Sequence, residues 1–200
     1  MEGNNNKRDK CFLNNLIYVK DDVLSNVQCE NMINYIESSS QINKTSITTR
    51  SYNNFYSMPI NKQQLCNNYG NELKLIIKNS LNEYLDSSPV VSQYFELYSD
   101  IIRYCDDFHL FKYEQNNGKF EYHDDFRIEE NKYRILTFLW YLNDVDVGGE
   151  TEFFDEIKIK PKQGRLLVFP CAWPYIHRGN IPQSSNKYII TGWVYVENPF

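Results

Sequence analysis

From Phe108 onward the hydrophobic side chains recur every second position. Successive side chains of an extended chain point to opposite faces, so a period of two means strands, which must pair into a sheet to bury an apolar face. Segments 108–114, 119–125, 133–143, 150–155, 156–160, 165–169, 175–178 and 187–196 read this way, with Gly, Asn and Pro turn signals between them. Roughly eight short strands separated by turns specify a sandwich or barrel, not a βαβ array. Gln115-Asn116-Asn117-Gly118 has the composition of a hairpin turn, which predicts that the first two segments pair. An aromatic content of 16% suits such a core, because flat side chains pack well on pleated surfaces.

Ahead of Phe108 the period is helical. Ser25 stands where an N-cap belongs, before Met32, Ile33 and Ile36. A second helix is predicted from about Gln63 to Leu85. Its stripe of Leu65, Tyr69, Leu73, Ile76, Ile77, Leu81 and Leu85 is broad enough to lie on a sheet, and Pro89 is its stop. Residues 40–58 read as a loop or irregular strand. The expectation is one domain over 1–200, mainly β, with supporting helices and first strands in 1–106 and a barrel core in 107–200.

A formal charge of −5 and a pI near 5.3 argue against holding phosphate backbones by bulk charge, so no nucleic-acid partner is expected. The longest apolar runs, 135–142 and 166–173, are too short to span a bilayer, and residues 1–10 lack the apolar core of a secretory signal. A cytoplasmic location without membrane attachment is the expectation; oligomeric state is left open. Five scattered cysteines with no Cys-x-x-Cys pair read as reduced thiols.

Among three histidines, His123 stands two residues before Asp125, so in extended chain both side chains share a face. His177 closes a predicted strand further on. Two imidazole nitrogens and one carboxylate on one side of a metal leave its other side open, the arrangement associated with non-haem Fe(II) and oxygen chemistry. Ten residues beyond His177, Lys187 opens the last strand on the same face as Ile189, Thr191 and Trp193. If that face lines the barrel, an ammonium projects into an apolar interior and needs an anionic partner. Arg178 and Asp124 alternate away from this face, and His109 reads as structural.

The segment from Phe108 to Val196 resembles the 2-oxoglutarate- and Fe(II)-dependent dioxygenases, in their prolyl 4-hydroxylase-like branch. The matching residues are Tyr113 with Gly118, His123-x-Asp125, Arg134-Ile-Leu-Thr-Phe-Leu-Trp-Tyr-Leu-Asn143, Gly148-Gly-Glu-Thr-Glu-Phe153, Pro161-x-x-Gly164, His177-Arg-Gly179 and Lys187-Tyr-Ile-Ile-Thr-Gly-Trp193. The resemblance implies a double-stranded β-helix (jelly-roll, cupin-like) core with His123, Asp125 and His177 as catalytic iron ligands. It implies Lys187 as the partner of the distal carboxylate of 2-oxoglutarate, with Tyr113 and Tyr141 contacting that cosubstrate. Thr151 and Trp193 stand beside the pocket, with packing as their simpler role.

Hydroxylation of an unactivated C–H with release of succinate and CO2 is the implied reaction, using Fe(II), 2-oxoglutarate and O2, with ascorbate as a reductant. A peptidyl prolyl or lysyl side chain is the implied substrate. A small-molecule hydroxylase of amino acids or sugars and a non-catalytic metal- or ligand-binding barrel are the alternatives. The carboxylate of Asp125 disfavours halogenation, since related halogenases lack it. Lys187 in place of an arginine disfavours the nucleic-acid demethylases. Residues 40–60, 126–132 and 171–175 are the candidate substrate loops.

Overall fold

The computed structural model describes residues 16–38, 43–45, 55–59, 69–87, 89–97, 102–103, 108–129 and 131–197. In chain order the elements are β1 (Tyr18–Lys20), α1 (Asn26–Ser38), β2 (Asn43–Thr45), β3 (Phe55–Pro59), α2 (Asn71–Asp86), α3 (Pro89–Leu97), β4 (Ile102–Arg103), β5 (His109–Tyr113), β6 (Phe120–His123) and β7 (Ile128–Glu129). Then follow β8 (Lys132–Tyr141), β9 (Thr151–Phe153), β10 (Ile157–Ile159), β11 (Leu166–Pro170), a 3₁₀ turn at Trp173–Tyr175, β12 (His177–Gly179) and β13 (Lys187–Glu197). The strands form two antiparallel sheets. The larger runs β1-β11-β8-β13-β5-β3-β2, with β4 on β13 and β7 on β8, and the smaller runs β10-β9-β12-β6. This is the jelly-roll core with helices against it.

The long strands of the large sheet are buried on both faces. Leu136, Phe138 and Trp140 of β8, with Tyr188, Ile190 and Val194 of β13, pack under Cys29, Met32 and Ile36 of α1 and Leu73, Ile77, Leu81 and Tyr84 of α2. The alternate residues Leu139 and Tyr141 of β8, Leu167 and Phe169 of β11, and Ile189 of β13 face the small sheet, meeting Phe153 and Tyr175. A strand covered twice has no polar face to keep, which is why Ile135–Leu142 reads as a nearly unbroken apolar run.

Helix α1 starts with a reciprocal cap: the Ser25 amide donates to Gln28 Oε1 (2.7 Å) and the Gln28 amide to Ser25 Oγ (3.3 Å). Its apolar face then falls on the sheet. Helix α2 is described from Asn71, so the expected stretch from Gln63 to 68, Leu65 included, lies outside the described residues. Its end is Asp86, one residue past the expected Leu85. Pro89 instead opens α3, where its fixed φ suits a first helical position and its missing N–H is no loss.

Two expectations are corrected. Residues 108–114 and 119–125 do not form a hairpin: β5 pairs with β13 and β3 in the large sheet, whereas β6 pairs with β12 in the small one. The turn between them, with Asn116 at φ 61° and the Gly118 amide donating to Glu114 O (2.8 Å), carries the chain from one sheet to the other. The stretch read as a loop or irregular strand, 40–58, holds β2 and the start of β3, which pair antiparallel and extend the large sheet beyond β5. Tyr175 belongs to the 3₁₀ turn, and the strand expected at 175–178 begins at His177.

Gly164 is fixed by close approach. At φ +76° its carbonyl accepts from Val23 N (2.9 Å) and Leu24 N (3.2 Å), and a Cβ there would lie 2.3 Å from Leu24 O. Among the described residues, no helix is long and apolar enough to cross a membrane.

Candidate functional site

The two sheets enclose a cavity of about 90 Å³ whose wall includes His123, Asp125, Thr137, His177, Lys187 and Trp193. His123 ends β6 and His177 opens β12, and the two are register partners in the small sheet. Pairing holds their rings 4.3 Å apart, centroid to centroid. Asp125 lies two residues past His123, where extended backbone returns its side chain to the same side.

Each imidazole gives its Nδ1 proton to a backbone carbonyl two residues back: His123 to Glu121 O (2.7 Å) and His177 to Tyr175 O (3.0 Å). A carbonyl only accepts, so Nδ1 carries a proton, and in the neutral ring the lone pair is left on Nε2. Those two lone pairs converge on one carboxylate, with His123 Nε2 at 3.6 Å from Asp125 Oδ1 and His177 Nε2 at 3.7 Å from Oδ2. These separations are too long for hydrogen bonds. Two lone pairs and an anion facing one another within 4.8 Å are a donor set suited to a cation, and carbonyl-anchored imidazoles are the second layer that metal ligands carry. The residues fit a divalent metal of the nitrogen- and oxygen-binding kind.

Protonation favours the same occupant. Burial pushes the His177 imidazolium down to about 4, with the Asp125 charge opposing, so His177 is neutral and able to donate its lone pair at neutral pH. Burial would raise the Asp125 carboxyl, but the Thr137 hydroxyl that donates to it, and the charge either imidazole carries when protonated, outweigh burial and hold the carboxyl below its ordinary value.

Lys187 opens β13 at 1% exposure. Its Nζ donates to Gly149 O (2.9 Å) and stands 4.1 Å above the Tyr113 ring. Burial lowers the ammonium from 10.5 to about 7, the Glu150 carboxylate pulling the other way. An ammonium has three protons to place, and one carbonyl and one ring face are a poor substitute for water. An anion entering the cavity from the metal side would complete it. Gly149, at φ +75°, turns its carbonyl towards this lysine.

Tyr113 is buried on this wall, its ring beneath the ammonium. Tyr141 lies further back: fully buried, it donates to Thr151 Oγ1 (2.7 Å), and Thr151 rather than Tyr141 meets the cavity. Thr191 and Trp193 share the Lys187 face of β13 and line the same space. Arg178 pairs with the buried Glu152 (2.9 Å) and lies on the Tyr122 ring at the rim. The Asp124 carboxylate turns to the Phe126 amide (3.1 Å), and His109 packs edge-on against Trp193.

Two residues that sequence reasoning passed over belong here. Thr137 Oγ1 donates to Asp125 Oδ2 (2.7 Å); a hydroxyl within the apolar run of β8 was its available signal. The Arg134 guanidinium stacks 3.6 Å over the Trp193 ring and pairs with Glu129. Arg134 Nε and Trp193 Nε1 are buried with no hydrogen-bond partner.

Residues 108–195 match the family model of the 2OG-Fe(II) oxygenase superfamily. The chain is 29% identical over 117 residues to the probable prolyl 4-hydroxylase 9 of Arabidopsis thaliana, covering 44% of this chain and 40% of that protein. The match thus spans well under half the length of that curated relative. Among solved structures, the viral collagen prolyl hydroxylase of Paramecium Bursaria Chlorella virus-1, in its 2OG complex, superposes with a TM-score of 0.64 at 21% identity, over 90% of this chain and 96% of that one. A Trichoplax adhaerens prolyl hydroxylase in complex with a hypoxia inducible factor peptide fragment superposes at 0.65 and 18% identity, over 93% and 86%. At such identities these two likenesses establish a shared fold.

Proposed function

We propose, from the premise that residues 108–195 belong to the 2OG-Fe(II) oxygenase superfamily with a prolyl 4-hydroxylase among their relatives, that the chain is a hydroxylase acting on a peptidyl prolyl or lysyl C–H. The observation that carries this reading is the convergence of His123, Asp125 and His177 in one cavity with the buried ammonium of Lys187. His123, Asp125 and His177 would hold Fe(II) from one side. Lys187 would hold the distal carboxylate of 2-oxoglutarate, with Tyr113 walling that end and Tyr141 acting through Thr151. Iron bound there would supply oxygen activation: R–H, O2 and 2-oxoglutarate give R–OH, succinate and CO2.

The chain's own residues have definable tasks in that reaction. Deep placement of Lys187 makes its charge worth far more to a dicarboxylate than a surface lysine's would be, and so selects 2-oxoglutarate over a monocarboxylic 2-oxo acid. The apolar wall of Phe111, Phe120, Leu139 and Ile189 limits water around the reacting atoms.

The test is mass spectrometry for products that gain one oxygen atom, run on a peptide array and on a metabolite extract with Fe(II), 2-oxoglutarate and ascorbate. Oxygenated prolyl or lysyl peptides are expected. Gain confined to free metabolites would move the assignment to small-molecule hydroxylation. No oxygenated product from either, with iron bound, would leave a non-catalytic barrel.

A further inference from the structure

The Thr137 hydroxyl is caught between two groups. Its single proton goes to Asp125 Oδ2 at 2.7 Å, since an ionised carboxylate only accepts. Its oxygen lies 3.2 Å from Cys171 Sγ, and with the hydroxyl proton already committed, the thiol must be the donor. A directed chain results, from Cys171 S–H to Thr137 O–H to the carboxylate. All of it is held by backbone: Thr137 is register partner of Phe169 on β11 and of Trp193 on β13, and the Cys171 amide is bound to Ile135 O (3.0 Å). Thr137 is 1% exposed and Cys171 1% exposed, so water cannot replace either group.

Asp125 carries two oxygens, and the number given to the metal decides how much of the metal stays open. One oxygen with two histidines leaves three positions of an octahedral ion free. Two oxygens leave two, and a chelating 2-oxo acid would then fill the site and exclude O2. We propose that Thr137 is the positioning residue for the metal-binding carboxylate: by occupying Oδ2 it confines Asp125 to one-oxygen ligation through Oδ1 and so keeps the third position open. This rests on the metal reading of His123, Asp125 and His177 given above. The Cys171 thiol fixes the rotamer of the hydroxyl and does not touch the ligand.

The experiment uses the full chain loaded with Mn(II), a divalent probe whose bound waters are counted by pulsed EPR in isotopically labelled water. Wild type should hold three. Thr137→Val is β-branched and nearly isosteric, so β8 keeps its conformation, but the hydroxyl is lost. It should hold two waters and bind Mn(II) about 10–100-fold more weakly, the usual effect of removing a ligand's hydrogen-bond partner. Thr137→Ser restores the hydroxyl and should restore both readings. A folded Thr137→Val protein with three waters and unchanged affinity overturns the proposal while leaving the metal site standing. Thr137→Ser behaving like Thr137→Val overturns it too, because the methyl and not the hydroxyl would then matter. Failure of wild type to bind Mn(II) removes the metal reading itself, and the proposal with it.

Discussion

Replacing Lys187 by Met separates the charge of the buried ammonium from its bulk. In the ligand-free protein, burial holds Lys187 near 7 against an ordinary 10.5. A fall of that size corresponds to about 5 kcal/mol between charged and neutral forms. The folded pKa is depressed, so the folded state takes up this proton less readily than the unfolded chain. The penalty is therefore full below the folded value and fades as pH rises from about 7 towards the unfolded value. Between roughly pH 6 and 9 the ligand-free protein should gain on the order of 2–3 kcal/mol from this one group. For a chain of this size that is on the order of 5–10 °C in Tm.

Binding has the opposite dependence. A dicarboxylate beside Lys187 favours the charged form, so near pH 8 its binding should draw in about 0.9 proton. Titration calorimetry of the Mn(II)-loaded protein with 2-oxoglutarate, repeated in buffers of different ionisation enthalpy, counts that proton directly. In Lys187→Met the uptake should vanish, affinity should fall, and the acid-side stability deficit should disappear while metal binding persists. Equal proton uptake in wild type and Lys187→Met, or an equal pH slope of stability in the two ligand-free proteins, would refute the assignment of the anion site to this lysine.

His123→Ala or Asp125→Ala should abolish Fe(II) binding by calorimetry while thermal unfolding stays cooperative, because neither side chain belongs to the core clusters. Gly164→Ala should lower stability by about 2–3 kcal/mol in denaturant unfolding, since a left-handed residue is forced against the Leu24 carbonyl. Ser25→Ala should remove about 1 kcal/mol by the same measurement, through loss of the α1 cap, with 2-oxoglutarate affinity unchanged.

The legible parts of this molecule were those set by short-range geometry. His123 and Asp125 share a face because two residues of extended chain always do, and the same parity brings Lys187 and Trp193 to one wall. The Ser25 cap needs only four consecutive residues. What stayed hidden depends on partners distant in sequence. Asn116 and Gly118 announce a reversal, but not that β5 and β6 leave it for different sheets. Pro89 announces a helix boundary, but not which side of it the next helix lies on. The Thr137 hydroxyl looks like one polar atom in an apolar strand until the fold sets Asp125 against it from twelve residues away. Arg134 gains its meaning from Trp193, which only the pairing of β8 with β13 brings near.

The central claim is that three ligands and one lysine make a single working site. Release of CO2 from carboxyl-labelled 2-oxoglutarate, measured with Fe(II) and ascorbate in wild type, Asp125→Ala and Lys187→Met, tests it most directly. Wild type should release label even without substrate, Asp125→Ala none, and Lys187→Met should recover release only at raised 2-oxoglutarate. Release that survives Asp125→Ala, or no release from iron-loaded wild type at saturating 2-oxoglutarate, would contradict the account.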